Sequence, residues 1–343
     1  MNTKPRVSII ILNWNGWKDT IECLESVYQI TYPNYDVIVV DNGSEDESLE
    51  KIKGYAEGKL KVISKSFEDV DGNKPLQYIE CAQKDARAKG KGMAEIATLP
   101  PQEKLILIKN EKNYGFAEGN NIAIKYALKV LNPQYILLLN NDTVVERDFL
   151  DELVYTASSD KRIGFVGPKT YYYDYHGRRD VINFAGGKLI MWKGKSAHIG
   201  LKKIDTGQYD RTTDVDYIEG SCLLARRETL ESVGLLDPSY FLYWEETDLC
   251  IRAQKAGYRT VYSSKAKIWH KVGASGNATQ LGYFFTRNRF RFMKKYSTRA
   301  EWITFSVFFW GYEVWFFCAI ALLYHRNFNE MRKFLVGIQD GLR

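Results

Sequence analysis

The sequence predicts an α/β fold, a mixed sheet flanked by helices, with a hydrophobic helical segment at its C-terminal end. Runs of β-branched and apolar residues on consecutive positions read as strands covered on both faces, and segments of helical spacing alternate with them. An apolar stretch from Trp302 to Tyr324 then follows a basic region. Alternating strands and helices imply a doubly wound sheet.

The run RVSIIIL over 6–12 is apolar throughout and suits a central strand. Ile21, Leu24, Val27 and Tyr28 fall at helical spacing within 19–29, and DVIVVD over 36–41 completes a β-α-β unit. The next helix is expected over 44–55, with Ser44 as N-cap and Glu47 completing a capping box. LILI at 105–108, a helix over 117–131 and YILLL at 135–139 extend the pattern. Between them, 64–104 reads as an insertion, with a helix near 76–87 and a mobile tip around 89–93. Past Asp142 the expected order is a helix (148–157), a strand (163–166), aromatic hairpins to about Gly200, a strand (217–225), a helix (245–255) and a strand (259–270).

The stretch from Trp302 to Tyr324 is interrupted only by Glu313 and is long enough to span a bilayer. Arg287, Arg289, Arg291, Lys294, Lys295 and Arg299 precede it, while His325, Arg326, Arg332 and Lys333 follow it. Positive charge on both flanks disfavours a simple span and suits a re-entrant or in-plane segment with both ends cytoplasmic. The competing reading is a buried helical hairpin of a soluble domain.

With 343 residues, 45% hydrophobic and 26% charged, the chain can bury a sizeable core and is not a disordered sequence. A net charge of +6 fits a polyanionic ligand or an anionic membrane surface, and no nucleic-acid recognition module accompanies it. The five cysteines lack CxxC spacing and their odd number argues against a disulfide framework, so a reducing cytosol is expected. The first residues lead directly into a strand, so no signal peptide is expected.

Several polar residues fall where such a sheet binds ligands. Asp41 ends the second strand, where a carboxylate accepts from a ribose hydroxyl or a base N–H, or else caps the turn Asn42-Gly43. The stretch from Asn113 to Asn121, with Gly115 and Gly119, is either a phosphate cradle of backbone N–H groups or a tight strand-to-helix turn. Asp142 follows Asn140 and Asn141 at the rim of the sheet and suits Mg²⁺ or Mn²⁺, the alternative being a helix N-cap. In YWEETDLCIR over 243–252, Asp248 with Arg252 is an ordinary i,i+4 pair. Glu245 and Glu246, beside Trp244, suit a partly desolvated general base. His270 ends a strand and gains interest only beside a metal.

In this order the motifs resemble family 2 inverting glycosyltransferases, within them the rhamnosyltransferase-like branch of polysaccharide biosynthesis. The resemblance runs from VSIIILNWNG (7–16) and VVDNGSEDES (39–48) through NYGFAEGNN (113–121), LLLNNDT (137–143) and GSCLLARR (220–227). It continues in GLLDPSYFLYWEETDLCIRAQKAGYR (234–259) and WHKVGASG (269–276). It implies a GT-A fold, the Rossmann-like nucleotide-diphospho-sugar transferase architecture. Residues 1–280 would form the catalytic domain and 281–343 a basic, apolar, membrane-associating region. The implied nucleotide-sugar contacts are Asn13, Asp41, Asn113, Gly115, Gly119, Asn120 and Asn141. Asp142 corresponds to the last carboxylate of the DxD metal motif, and His270 to a histidine that joins the metal site. Glu246 corresponds to the second acidic position of the ED motif, which supplies the base, with Glu245 beside it orienting the acceptor or lining the site. Two departures stand out: Asn140 replaces the first carboxylate of DxD, and Glu246 stands where Asp is common.

The implied reaction is inverting transfer from a nucleotide-diphosphate sugar to a hydroxyl of a glycan or lipid-linked acceptor, with Mg²⁺ or Mn²⁺, at the cytoplasmic face of a membrane. A sugar-phosphate nucleotidyltransferase would need a basic glycine-rich loop after the first strand, where NWNGWKD stands instead. A non-catalytic sugar-binding protein is suggested by Asn140 and opposed by Asp142, Glu245, Glu246 and His270.

Overall fold

The structure, a computed structural model, describes residues 4–62, 64–67, 74–82, 99–100, 103–272 and 278–343. The first half comprises β1 (Val7–Asn13), α1 (Trp17–Val27), β2 (Tyr35–Asp41), α2 (Ser48–Ala56), β3 (Gln77–Ala82), β4 (Lys104–Lys109), α3 (Gly115–Tyr126), β5 (Tyr135–Asn140), β6 (Thr143–Val145), α4 (Phe149–Ser158) and β7 (Ile163–Tyr172). Short strands follow: β8 (Val181–Phe184), β9 (Gly187–Ile190), β10 (Lys195–His198), β11 (Lys203–Ile204) and β12 (Thr213–Asp214). Next come β13 (Cys222–Arg226), α5 (Arg227–Val233), α6 (Glu245–Lys255) and β14 (Arg259–His270). Three helices close the chain: α7 (Ala278–Tyr296), α8 (Arg299–Tyr324) and α9 (Phe328–Leu342).

Twelve of the described strands make one mixed sheet, whose main path runs β11-β8-β7-β13-β5-β1-β2-β4-β3. β1, β2, β4, β3 and β5 pair in parallel, whereas β13 enters antiparallel beside β5. The consecutive apolar residues divide between two cores, one on each face. Ile9, Ile11, Val37 and Val39 pack with Leu24, Ile52 and Leu153 of α1, α2 and α4, while Ile10, Ile38 and Val40 pack with Ile122, Ala123 and Tyr126 of α3. Double coverage is why these strands lack the apolar-polar alternation of a solvated sheet.

Two expectations need correction, and a third is untested. Where a helix near 76–87 is expected, the described residues Gln77–Ala82 form the strand β3, which pairs in parallel with the otherwise open edge of β4. The tip at 89–93 lies outside the described residues. No capping box forms at Ser44: α2 begins at Ser48, and the Ser44 hydroxyl instead accepts from Asn13 Nδ2 and the Asn15 N–H.

The C-terminal helices form a layer with its own aromatic core. Phe305, Phe309 and Val314 of α8 bury against Phe290, Phe292 and Met293 of α7, Phe334 and Ile338 of α9, and Tyr240 and Trp244. A Cβ at Gly337 or Gly341 would come within 2.8 Å of the Tyr283 carbonyl or 2.6 Å of the Arg287 carbonyl, so these glycines let α9 lie flush on α7. The buried-hairpin reading does not describe α8, because only 17% of its apolar window is buried. Part of the flanking basic cluster is bonded to the protein itself: buried Arg289 pairs with Glu313 at 2.8 Å, exposed Lys295 with Asp248 at 2.6 Å, and Arg287 donates to the carbonyls of Ser239 and Tyr240.

Candidate active site

The register of the parallel strands brings the polar loops together. Asn13 stands opposite Asp41, and Leu12 opposite Asn140, so the carboxyl ends of β1, β2 and β5 meet at one edge. Buried Asn13 donates from Nδ2 to Asp41 Oδ1 at 2.9 Å and accepts from Thr20 Oγ1 at 2.8 Å. Asn141 Nδ2 donates to the same Thr20 hydroxyl at 3.0 Å. Asn13, Asp41 and Asn141 thus form one connected rim. Asp41 also accepts from the Ser44 N–H at 3.2 Å, the turn-capping role read as its alternative.

Asn42, which sequence reasoning passed over, joins this rim to the next loop. Its Nδ2 donates to Asn113 Oδ1 at 3.0 Å and to the Gly115 carbonyl at 3.2 Å, while its Oδ1 accepts from Asn110 Nδ2 at 3.0 Å and the Tyr114 N–H at 3.2 Å. Asparagine has the donors and acceptor for four such contacts, which is the signal hidden in the sequence DNGS.

Of the two readings of the stretch around Gly115 and Gly119, the tight strand-to-helix turn describes its start, where the backbone N–H groups bond within the protein. Asn113 Oδ1 accepts from the Gly115 N–H at 2.8 Å, and the Phe241 carbonyl accepts from the Phe116 and Ala117 N–H groups at 2.7 and 3.3 Å. Gly115 has φ +78° and a Cβ there would meet the Phe241 ring and carbonyl, so the glycine serves close approach of the 241 loop. Gly119 packs α3 on Leu12 of β1, and Asn120 Nδ2 turns back to the Phe116 carbonyl.

Pairing of β14 with β6 sets His270 opposite Thr143, next to Asp142. His270 Nε2 lies 3.1 Å from Asp142 Oδ1, while His270 Nδ1 is buried without a partner among the described residues. Burial alone would raise the Asp142 carboxyl, but the hydrogen bond and charge of His270 outweigh it and hold the carboxyl below its ordinary value. Burial likewise opposes the charged imidazole, yet Asp142 holds His270 above its usual range. No group of three or more His, Cys, Asp or Glu side chains placed to hold a metal occurs among the described residues. The pair offers one oxygen and one nitrogen donor, which would suit Mg²⁺ or Mn²⁺, ions that commonly fill their remaining positions with water or phosphate oxygens.

Glu245 and Glu246 open α6 after an unusual turn. Phe241, Tyr243 and Trp244 have φ of +65°, +69° and +75°, a conformation costly for side chains of this size. Asn288 of α7, fully buried, donates from Nδ2 to the carbonyls of Tyr240, Leu242 and Tyr243 at 2.8 to 2.9 Å. Asp248 bonds Arg252 as expected and also accepts from Lys295 and Tyr296 of α7. Glu245 is buried with Oε2 unpartnered among the described residues, and burial with the adjacent Glu246 charge pushes it well above its ordinary value. Glu246 keeps part of its surface open and is pushed up to about 7, chiefly by burial, with Glu219 adding to the shift. Glu219, a second residue that sequence reasoning missed, accepts from Ser221 at 2.6 Å, and its charge also acts on His270. It links the two halves of the site.

Comparisons with known proteins bear on the family and the fold. The profile of the family described as "Glycosyltransferase like family 2" matches residues 77–293, more than half of the chain, and that of "Glycosyl transferase family 2" matches 8–72. The low-salt glycan biosynthesis hexosyltransferase Agl10 of Haloferax volcanii is 23% identical over 67% of this chain and 73% of its own length. An N-acetylglucosaminyl-diphospho-decaprenol L-rhamnosyltransferase of Mycobacterium tuberculosis is 45% identical over 16% of this chain and 18% of its own. Among solved structures, the mannosyltransferase PcManGT of Pyrobaculum calidifontis, in complex with GDP-Man and Mn²⁺, superposes with a TM-score of 0.57 at 15% identity. That match covers 98% of this chain and 87% of that one, and at such identity it shows a shared fold.

Proposed function

This chain belongs to glycosyltransferase family 2, a sugar-transferring enzyme of glycan biosynthesis, and from that premise we propose an inverting, metal-assisted transfer from a nucleotide-diphosphate sugar to a hydroxyl of a glycan or lipid-linked acceptor at the cytoplasmic face of a membrane. The observation that carries the reading is Glu246, a partly open carboxylate pushed up to about 7. A group with that proton affinity is ionised enough near neutral pH to take a proton and basic enough to hold it.

Glu246 removes the proton of the acceptor hydroxyl as that oxygen attacks the anomeric carbon from the side opposite the leaving diphosphate, which inverts the centre in one displacement. Glu245, whose carboxyl burial and the adjacent Glu246 charge push well above its ordinary value, orients the acceptor or lines the site. Asp41, supported by Asn13, and Asn141 contact the donor at the sheet edge. Asn113, Gly115, Gly119 and Asn120 shape that edge by holding the turn. Asp142 and His270 would hold Mg²⁺ or Mn²⁺. When bound, the ion neutralises the charge developing on the diphosphate. Asn140 in place of a carboxylate leaves Asp142 as the acidic ligand of the pair.

A lipid-linked acceptor is supported by the decaprenol acceptor in the mycobacterial relative's name and by the exposed apolar layer at residues 281–343. The deciding experiment screens nucleotide sugars for release of nucleoside diphosphate, with and without lipid-linked acceptors. Acceptor-stimulated release from one donor is expected; no release from any donor with any acceptor would overturn the assignment.

A further inference from the structure

We propose that α8 lies in the plane of one membrane leaflet, with its outer face in the lipid and its inner face on the catalytic domain, and does not cross the bilayer. The inference rests on the membrane-contact part of the proposed function and commits that contact to one geometry.

The inner stripe runs at four-residue steps through Phe305, Phe309, Glu313, Phe317 and Ala321, all buried or half-buried. Along a regular α-helix such a repeat drifts by about 40° per step, which would turn the stripe away from its support. Two π turns, Phe309–Glu313 and Ile320–Tyr324, unwind the helix and keep the stripe facing inward. Glu313, at the middle of α8, pairs with Arg289 at 2.8 Å and with Lys195 at 3.0 Å. Phe317 stacks on Phe334 of α9 with ring centroids 3.9 Å apart. A spanning helix would have to break these contacts and carry Glu313 into hydrocarbon.

The opposite stripe is exposed at each step: Ile303, Val307, Gly311, Trp315, Ala319 and Leu323. Trp315 is 69% exposed and Leu323 79%. Trp192, from the turn between β9 and β10, is half exposed and packs edge-on against Phe308, so a second chain segment extends the same face. Trp310, Tyr312 and Trp315 sit at the centre of α8; in a spanning helix such rings belong at the two ends, whereas in an interfacial helix they lie along its length. Exposed Arg299 and Arg326 bracket α8 and exposed Arg332 and Lys333 follow on α9, a charge pattern that complements anionic lipid at one surface.

The test uses the full chain with sealed phosphatidylcholine vesicles, with and without phosphatidylglycerol, followed by flotation, alkaline carbonate extraction and protease digestion of a tag placed after Arg343. Expected are flotation that strengthens with phosphatidylglycerol, release by carbonate, and a tag that stays accessible from outside. The double variant Trp315→Glu, Leu323→Glu should float at least about tenfold less well while keeping the wild-type melting temperature, because both residues lie outside the packed core. Binding with a protected tag or carbonate resistance would overturn the in-plane geometry and leave membrane contact standing. Absence of flotation would overturn both. A detergent-free dimer that the double variant converts to monomer would assign the face to a second copy of the chain instead.

Discussion

Replacing Glu246 with Gln tests the chemistry and the electrostatics of the site in one variant. The carboxyl is pushed from an ordinary 4.5 up to about 7 in the folded protein. At neutral pH about half the molecules carry the ionised base, so kcat should rise with pH through an apparent pKa near 7 and level off above it. Glu246→Gln keeps shape and hydrogen-bonding capacity but removes the base. It should lower kcat by about 10²-fold or more and abolish that acid limb, with donor affinity unchanged. The same shift has a stability consequence of defined sign. The folded state binds the proton more tightly than the unfolded one, so wild-type stability falls as pH rises from about 4.5 to about 7. The full penalty is roughly 3 kcal/mol above that window. The neutral variant escapes it and should melt higher than wild type at pH 8 while matching it more closely at pH 4. Near-wild-type turnover with the acid limb retained would remove Glu246 from the mechanism, and an unchanged stability difference across pH would refute the burial argument.

The remaining expectations concern the parts that surround this base. Excess chelator should abolish transfer, with Mg²⁺ or Mn²⁺ restoring it, and Asp142→Ala should lose metal-dependent donor binding measured by calorimetry; full activity in chelator would contradict the role given to Asp142. Asn288→Ala removes the shared donor to three loop carbonyls and should cost about 1–3 kcal/mol of stability. It should also lower kcat about tenfold with donor affinity intact, whereas a lower melting temperature with normal kcat would mark Asn288 as purely structural. Gly115→Ala places a Cβ within 2.5 Å of the Phe241 ring at φ +78°, so the melting curve should show a loss of more than about 1 kcal/mol.

What the sequence disclosed depended on how local each signal was. Strand runs such as those at 6–12 and 135–139 carry their own evidence, because double burial leaves an uninterrupted apolar pattern. β3 carries no such evidence: Gln77, Tyr78, Ile79, Glu80, Cys81 and Ala82 mix polar and apolar residues, and the segment becomes a strand only because the edge of β4 is there to receive it. The capping box failed for a similar reason. Ser44 has the right spacing from Glu47, but Asn13 and Asn15 on another loop claim its hydroxyl. Asp248 shows the opposite case. Its i,i+4 pairing with Arg252 was legible, whereas its bonds to Lys295 and Tyr296 needed the tertiary fold.

The turn before the glutamates explains why the site itself was only half legible. Three bulky residues at 241, 243 and 244 hold left-handed backbone, which at about 1 kcal/mol or more each does not persist unless surrounding contacts impose it. Those contacts come from both directions along the chain. The Phe116 and Ala117 N–H groups fix the Phe241 carbonyl from the start of α3, and Asn288 fixes its neighbours from α7. Glu246 is therefore positioned jointly by the rim that carries Asp41 and by the helical layer that carries the exposed face of α8. In the proposed site, the first contact sets the spacing between the sheet edge and Glu246, and the second that between Glu246 and the apolar surface. On the proposed reading, a hydroxyl presented by an amphiphile at that surface would meet a base whose preceding turn is bonded to the same layer through Asn288.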